Sequence, residues 1–251
     1  MRYKMIIEYD GSFFHGFQRQ NNLVSVQSTI EDVLSETLKE TITLHGAGRT
    51  DAGVHAKGQV VDFKSEVIIP VKNLKKVLNK KLYPSIYIKD VEVVDEMFHS
   101  RINAKKKEYR YYVNIGEFSP FKARYMHFFH DRIDLEKIRL AMKYVIGTHD
   151  FKSFSKNKNI KTTVRTIEKF DLNIKEDGKL LEFVIVGNGF LHNMVRIIIA
   201  LILKVGEGKF EPEHMQEVLD AKIRISAPYV APARGLYLWK VYYEGDKNEE
   251  N

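Results

Sequence analysis

Val164-Arg165-Thr166-Ile167-Glu168-Lys169-Phe170-Asp171-Leu172-Asn173-Ile174 and Leu180-Leu181-Glu182-Phe183-Val184-Ile185-Val186 flank the turn pair Asp177-Gly178. Long strand-like runs on either side of Asp-Gly predict two antiparallel strands joined as a hairpin. Upstream, Asp134 can cap a helix over Leu135 to Ile146, and Glu108 to Ile115 reads as a Tyr-rich strand. Downstream, Gly187-Asn188-Gly189 leads into an apolar helix from about Leu191 to Val205. A shorter helix near Pro212 to Ala221, a strand from Leu236 to Tyr243 and a polar tail from Asp246 to Asn251 follow.

The first part of the chain carries the same mixture. Arg2 to Tyr9 reads as a strand closed by Asp10-Gly11, and Ser25 can cap a helix with Val26, Ile30, Val33, Leu34 and Leu38 at helical spacing. Thr43 to His45 and Gln59 to Phe63 read as short strands around a Gly-rich connection, Gly46 to Gly58. Val71 to Leu82 reads as a basic helix stopped by Pro84, and Ile86 to Val94 alternates as a strand. Hairpins mixed with helices predict an α+β fold of mainly antiparallel sheets. Strands plus two helices recur in each half, so two similar domains are expected, 1–104 and 105–251, each a sheet with helices on one face.

At 251 residues and 44% hydrophobic, the chain can bury a core. Its net charge of +7 favours a polyanionic partner. The absence of cysteine excludes disulfides, thiolate zinc sites and cysteine nucleophiles. The N-terminal residues lack a signal-peptide core, and the longest apolar run, Ile197 to Leu203, is far short of the roughly 20 residues that span a bilayer. A soluble protein is expected.

Gly46-Ala47-Gly48-Arg49-Thr50-Asp51-Ala52-Gly53-Val54-His55 concentrates the chemistry. Its glycines permit positive φ and close backbone approach, and one arginine stands two residues from one carboxylate. Two readings stand side by side: a tight turn held by an Arg49–Asp51 pair, or a site in which an ionised Asp51 acts as base or nucleophile. The loop has neither the dinucleotide spacing nor the lysine of a P-loop. Basic residues cluster at Lys72 to Lys81, Lys105 to Lys107 and Lys152 to Arg165, each of them either a solvated face with its rings in the core or a surface for RNA. The last two are interleaved with Tyr109, Tyr111, Tyr112, Phe151 and Phe154. The scattered histidines have no ligand spacing, so no metal is expected. Arg196 interrupts an apolar helix, either facing solvent or pairing with a carboxylate, for which Asp51 is the candidate.

Gly48-Arg49-Thr50-Asp51-Ala52-Gly53-Val54-His55 resembles the catalytic loop of the tRNA pseudouridine synthase A family. Glu8-Tyr9-Asp10-Gly11, Gly16-Phe17-Gln18-Arg19-Gln20, Ser25-Val26-Gln27, Phe98-His99-Ser100-Arg101 and Tyr109-Arg110-Tyr111 extend the resemblance. His149-Asp150-Phe151-Lys152-Ser153-Phe154, Gly189-Phe190-Leu191-His192-Asn193-Met194-Val195-Arg196 and Ala233-Arg234-Gly235-Leu236-Tyr237-Leu238 carry it to the C-terminal end. The resemblance implies isomerisation of uridine to pseudouridine at tRNA positions 38, 39 and 40, by a cytoplasmic homodimer without cofactor, with RNA bound in a cleft between the domains. It implies Asp51 as nucleophile, Arg49 as the residue that helps displace the target base, Tyr109 as its stacking partner, Arg196 as the partner of the catalytic carboxylate, and Leu236 in the uracil pocket. Lys105, Lys106 and Lys107 are expected on the RNA-facing surface. Phe17, Asn193 and Glu108 depart from the family's commoner tryptophan, histidine and basic residue. A binding protein of the same fold, a uracil-releasing glycosidase and a synthase aimed at other uridines are the competing readings.

Overall fold

The computed structural model describes residues 1–156 and 162–246. Lys158 and Lys161 of the third basic cluster, and the tail residues 247–251, lie outside the described residues. In chain order the elements are β1 (Arg2–Tyr9), α1 (Val26–Leu38), β2 (His45–Gly46), β3 (His55–Lys64), α2 (Val71–Leu82), β4 (Ile86–Val94), β5 (Lys106–Asn114) and β6 (His127–Phe128). There follow α3 (Leu135–Lys143), β7 (Gly147–Asp150), β8 (Val164–Lys175), β9 (Leu180–Gly187), α4 (Met194–Gly206), α5 (His214–Ala221) and β10 (Leu236–Tyr242). The fold is α+β, as the sequence predicts, and its strand pairs are mainly antiparallel. The pairings of β3 with β10 and of β5 with β6 are parallel.

The chain divides into two compact units, Met1–Lys105 with Tyr237–Asn251, and Lys106–Leu236. In the first unit β1 runs antiparallel to β4 on one side and to β3 on the other. Tyr3, Met5, Ile7 and Tyr9 are buried along one face of β1, which is the two-residue period of a strand. β10 joins β3 through Tyr237↔His55 and Leu238↔Ala56. Ser25 and Ser28 form a reciprocal capping box that starts α1, and Val26, Ile30, Leu34 and Leu38 bury its inner face. β4 is an edge strand. The Asn79 side chain of α2 donates to Ile88 O at 3.0 Å and accepts from Ile88 N at 2.6 Å, covering part of that edge. Asp62 of β3 is fully buried, paired with Arg2, and accepts from Ser100 N at 2.7 Å.

In the second unit the order is β5-β9-β8-β7, with β6 beside β5. The expected hairpin is β8 and β9, paired from Ile167↔Gly187 to Lys175↔Leu180. Its connection holds Glu176, Asp177 and Gly178 in the left-handed region. Helix α4 buries eleven of its thirteen residues, leaving Arg196 and Lys204 as the ones that reach out of the core. That helix begins at Met194 rather than near Leu191 because Asn193, at φ 64°, interrupts helical geometry. β3 starts at His55, four residues earlier than the apolar run predicts, through pairing with β1 and β10. The two-residue β6 and the four-residue β7 have no counterpart among the elements the sequence predicts.

His127 on β6 stands edge-on to Tyr111 and Phe129. Burial, reinforced by the charges of Arg234 and Lys204, pushes its pKa down to about 4. The folded state therefore binds fewer protons than the unfolded chain between that value and the ordinary histidine range. This contribution to stability is present above about pH 6.5 and is lost as pH falls towards 4. Denaturant titrations of wild type and His127→Phe across this range should show a steeper loss of stability with falling pH in the wild type, the difference amounting to at most about 3 kcal/mol. Identical slopes would mean that His127 is not the titrating group.

Candidate active site

The segment between β2 and β3 has no strand partner for most of its length, so its backbone polar groups must be satisfied from elsewhere. Ala47 N donates to Val60 O at 2.8 Å, and Phe17 N donates to Thr50 O at 3.0 Å. Gln59, fully buried on β3, donates through Nε2 to Gly48 O at 2.8 Å. The Tyr9 hydroxyl, at the end of β1, lies 2.8 Å from Thr50 Oγ1 in a buried hydrogen bond. Val54 N closes a turn onto Asp51 O at 3.1 Å, and Gly53 takes φ +76°, where a side chain would strain the chain.

At the far end of the loop, His55 is buried. Its Nδ1 accepts from Gly11 N at 3.1 Å and lies 3.2 Å from Asp10 Oδ1. Its ring stacks on Tyr237 at 4.7 Å between centroids. Gly11 is needed for its size, since a Cβ there would fall 2.1 Å from Val54 O. Burial raises the Tyr9 pKa to about 12, against smaller opposing effects of its hydrogen bonds to Thr50 and Gln59. Tyr9 thus stays protonated and remains a partner for Thr50 at any physiological pH. Together these clamps hold a half-buried Asp51 and an exposed Arg49 on a backbone with little freedom. A carboxylate fixed in this way keeps its position when a substrate arrives, as general-base or nucleophilic chemistry requires.

Asp51 and Arg49 share this loop in the first unit. Lys105 ends the same unit's first segment, exposed and 3.7 Å from Glu244. The other expected residues belong to the second unit. Tyr109 on β5 is buried, its ring edge-on to Phe190 at 5.1 Å. Arg196, in the first turn of α4, donates from Nε to Ala231 O at 2.7 Å and from Nη1 to Asn193 Oδ1 at 3.1 Å. Ala231 N returns a bond to Arg196 O at 3.0 Å. Leu236 opens β10 and is buried, while Tyr111 bonds Pro232 O at 2.9 Å and so holds the segment before it. Lys106 pairs with Glu168 at 2.5 Å, and Lys107 is half-buried. Among the described residues no cluster of histidines and carboxylates suits a metal ion.

The departures noted in the sequence have defined places. Phe17 is buried, with its ring against Gly46. Asn193 supports Arg196, and Glu108 accepts from Arg110 Nε at 2.7 Å. The sequence alone assigns no role to Tyr9, Thr50, Gln59 or His55. Their one signal is a polar group at positions where a strand or loop would otherwise be apolar.

A family model described as tRNA pseudouridine synthase matches residues 5–102 and 141–244. The tRNA pseudouridine synthase A of a Geobacillus species is 45% identical over 246 residues, covering 97% of this chain and 98% of that protein. That of Clostridium kluyveri is 41% identical over 242 residues, covering 96% and 98%. That of Bacillus subtilis is 42% identical over 248 residues, covering 97% and 100%.

The clamp on the loop is open to a direct check. Tyr9→Phe should lower stability in urea denaturation by about 1–3 kcal/mol, because it leaves the Thr50 hydroxyl buried without its partner. A variant as stable as wild type would show that this bond does not hold the loop.

Proposed function

The chain belongs to the tRNA pseudouridine synthase family, and on that premise we propose that Asp51 is the carboxylate through which it isomerises uridine to pseudouridine at positions 38, 39 and 40 of tRNA. The observation that carries this reading is the intact Gly48-Arg49-Thr50-Asp51-Ala52-Gly53 segment, clamped at both ends, within a family match that covers most of the chain.

The reaction breaks the bond between uracil N1 and ribose C1′, turns the base, and forms a bond from C5 to C1′. C5 gives up its proton and N1, which carries none in uridine, gains one, so atoms and charge balance with no oxidant and no donor group. Asp51 assists the ribose or traps it while the base is detached. Before that, the base has to leave its stack, at a cost of a few kcal/mol. Tyr109 offers a ring face to the extruded uracil, Arg49 helps displace it, Leu236 supplies an apolar wall, and Arg196 serves as the partner that keeps the carboxylate ionised. Lys105, Lys106 and Lys107 contribute to holding the RNA backbone. The same reading takes the protein to be a cytoplasmic homodimer that needs no cofactor or metal.

Unmodified tRNA tritiated at uridine C5 reports the new carbon bond itself, since forming it expels the label. Wild type should release tritium and Asp51→Asn should release none while still binding tRNA. Turnover by the purified variant would end the assignment of Asp51. Replacing Lys105, Lys106 and Lys107 together with alanine should weaken tRNA binding and make its salt dependence shallower. The change in slope should be up to about 0.7–0.9 for each phosphate that is no longer neutralised. An unchanged slope would take the three lysines off the RNA surface.

A further inference from the structure

Helix α2 has no part in that reading, yet its charge pattern is unusual. Val71–Leu82 contains five lysines and no acidic residue. Its inner face is settled, since Leu74, Leu78 and Leu82 recur every fourth residue and all are buried. Asn79 fixes the helix to β4 by pairing with both the amide and the carbonyl of Ile88. Two lysines have local tasks. Lys75 Nζ donates to Lys89 O, and Lys81 pairs with Glu36 at 2.7 Å.

The remaining three, Lys72, Lys76 and Lys80, lie four residues apart on the exposed side. Among the described residues none of them meets a carboxylate, whereas Lys105 and Lys106 face Glu244 and Glu168. They form a row about 12 Å long that winds slowly around the helix, from a rise of roughly 1.5 Å per residue. Such a row works against the helix that carries it. Like charges four apart repel, and Lys72 sits in the first turn, where the helix dipole disfavours a cation. The helix tolerates this because its leucines and Asn79 secure it. A polyanion laid along the row would relieve the repulsion by replacing condensed counterions. Tyr83, exposed by 81%, follows the last residue of the helix and offers the kind of ring face that single-stranded bases use.

We propose that Lys72, Lys76 and Lys80 form a second tRNA-binding surface, which grips the phosphate backbone from a helix that carries none of the residues assigned to the target base. The proposal rests on tRNA being the substrate.

The test is equilibrium binding of unmodified tRNA to the full-length protein across about 50–200 mM salt, with wild type, the triple alanine variant and the triple glutamate variant. Alanine preserves helical propensity, so folding of the first variant can be verified by its circular dichroism melt. The alanine variant should bind roughly tenfold or more weakly at low salt, with a log–log slope shallower by about 2–3. The glutamate variant should bind more weakly still. A slope equal to that of wild type, or an affinity loss of the same size at every salt concentration, would overturn the proposal. Tritium release from C5-labelled tRNA by wild type is measured in parallel. Its absence would remove the substrate assignment and this inference with it, whereas release combined with an unchanged slope removes the inference alone.

Discussion

The structure of the first unit turns on one requirement, that the backbone of the loop between β2 and β3 find hydrogen-bond partners without a neighbouring strand. An unpaired polar group buried there would cost as much as a lost hydrogen bond. Backbone partners come from the segment around Phe17 and from β3, while the end of β1 and the turn after it hold the side chains of Thr50 and His55. Each then has to be held in register by the sheet. The regular strands of this unit thus serve to fix an irregular segment, and the carboxylate inherits their rigidity.

A second buried polar group ties the same unit together elsewhere. Asp62 has no access to solvent, and a charge in that position needs both a counter-ion and hydrogen bonds. Arg2 supplies the first and Ser100 N the second, while His45 Nδ1 lies 3.4 Å away. The start of β1, the strand β2 and the segment after β4 therefore converge on one side chain of β3. Removing any one of them would leave the others around an ill-matched charge.

Much of the fold is legible in the sequence because its elements obey simple periods. The fourfold recurrence of Leu74, Leu78 and Leu82 marks α2, and Asp177-Gly178 marks the hairpin of β8 and β9. Alternation from Arg2 to Tyr9 marks β1 to the residue. What escapes such reading is decided by tertiary context. Nothing local about Gly147–Asp150 specifies a strand, which exists because β8 offers it an edge. His55 and Ala56 enter β3 early because β10 pairs with them. In the loop itself, glycine spacing and the Arg49–Asp51 pair fit either a turn or a site. The residues that immobilise it, Tyr9 and Gln59 among them, look like ordinary strand positions in one dimension.

The parallel pairing of β10 with β3 has a consequence for how the protein is made. Tyr237, whose ring covers His55, leaves the ribosome after nearly every other element has been synthesised. Until then β3 lacks this neighbour, and His55 has its bond to Gly11 but not the ring of Tyr237. The second unit, being continuous in sequence from Lys106 to Leu236, has all its strands available before the first unit can be finished. Completion of the β3 edge beside the Asp51 loop thus waits until β10 has been synthesised, after the whole of the second unit.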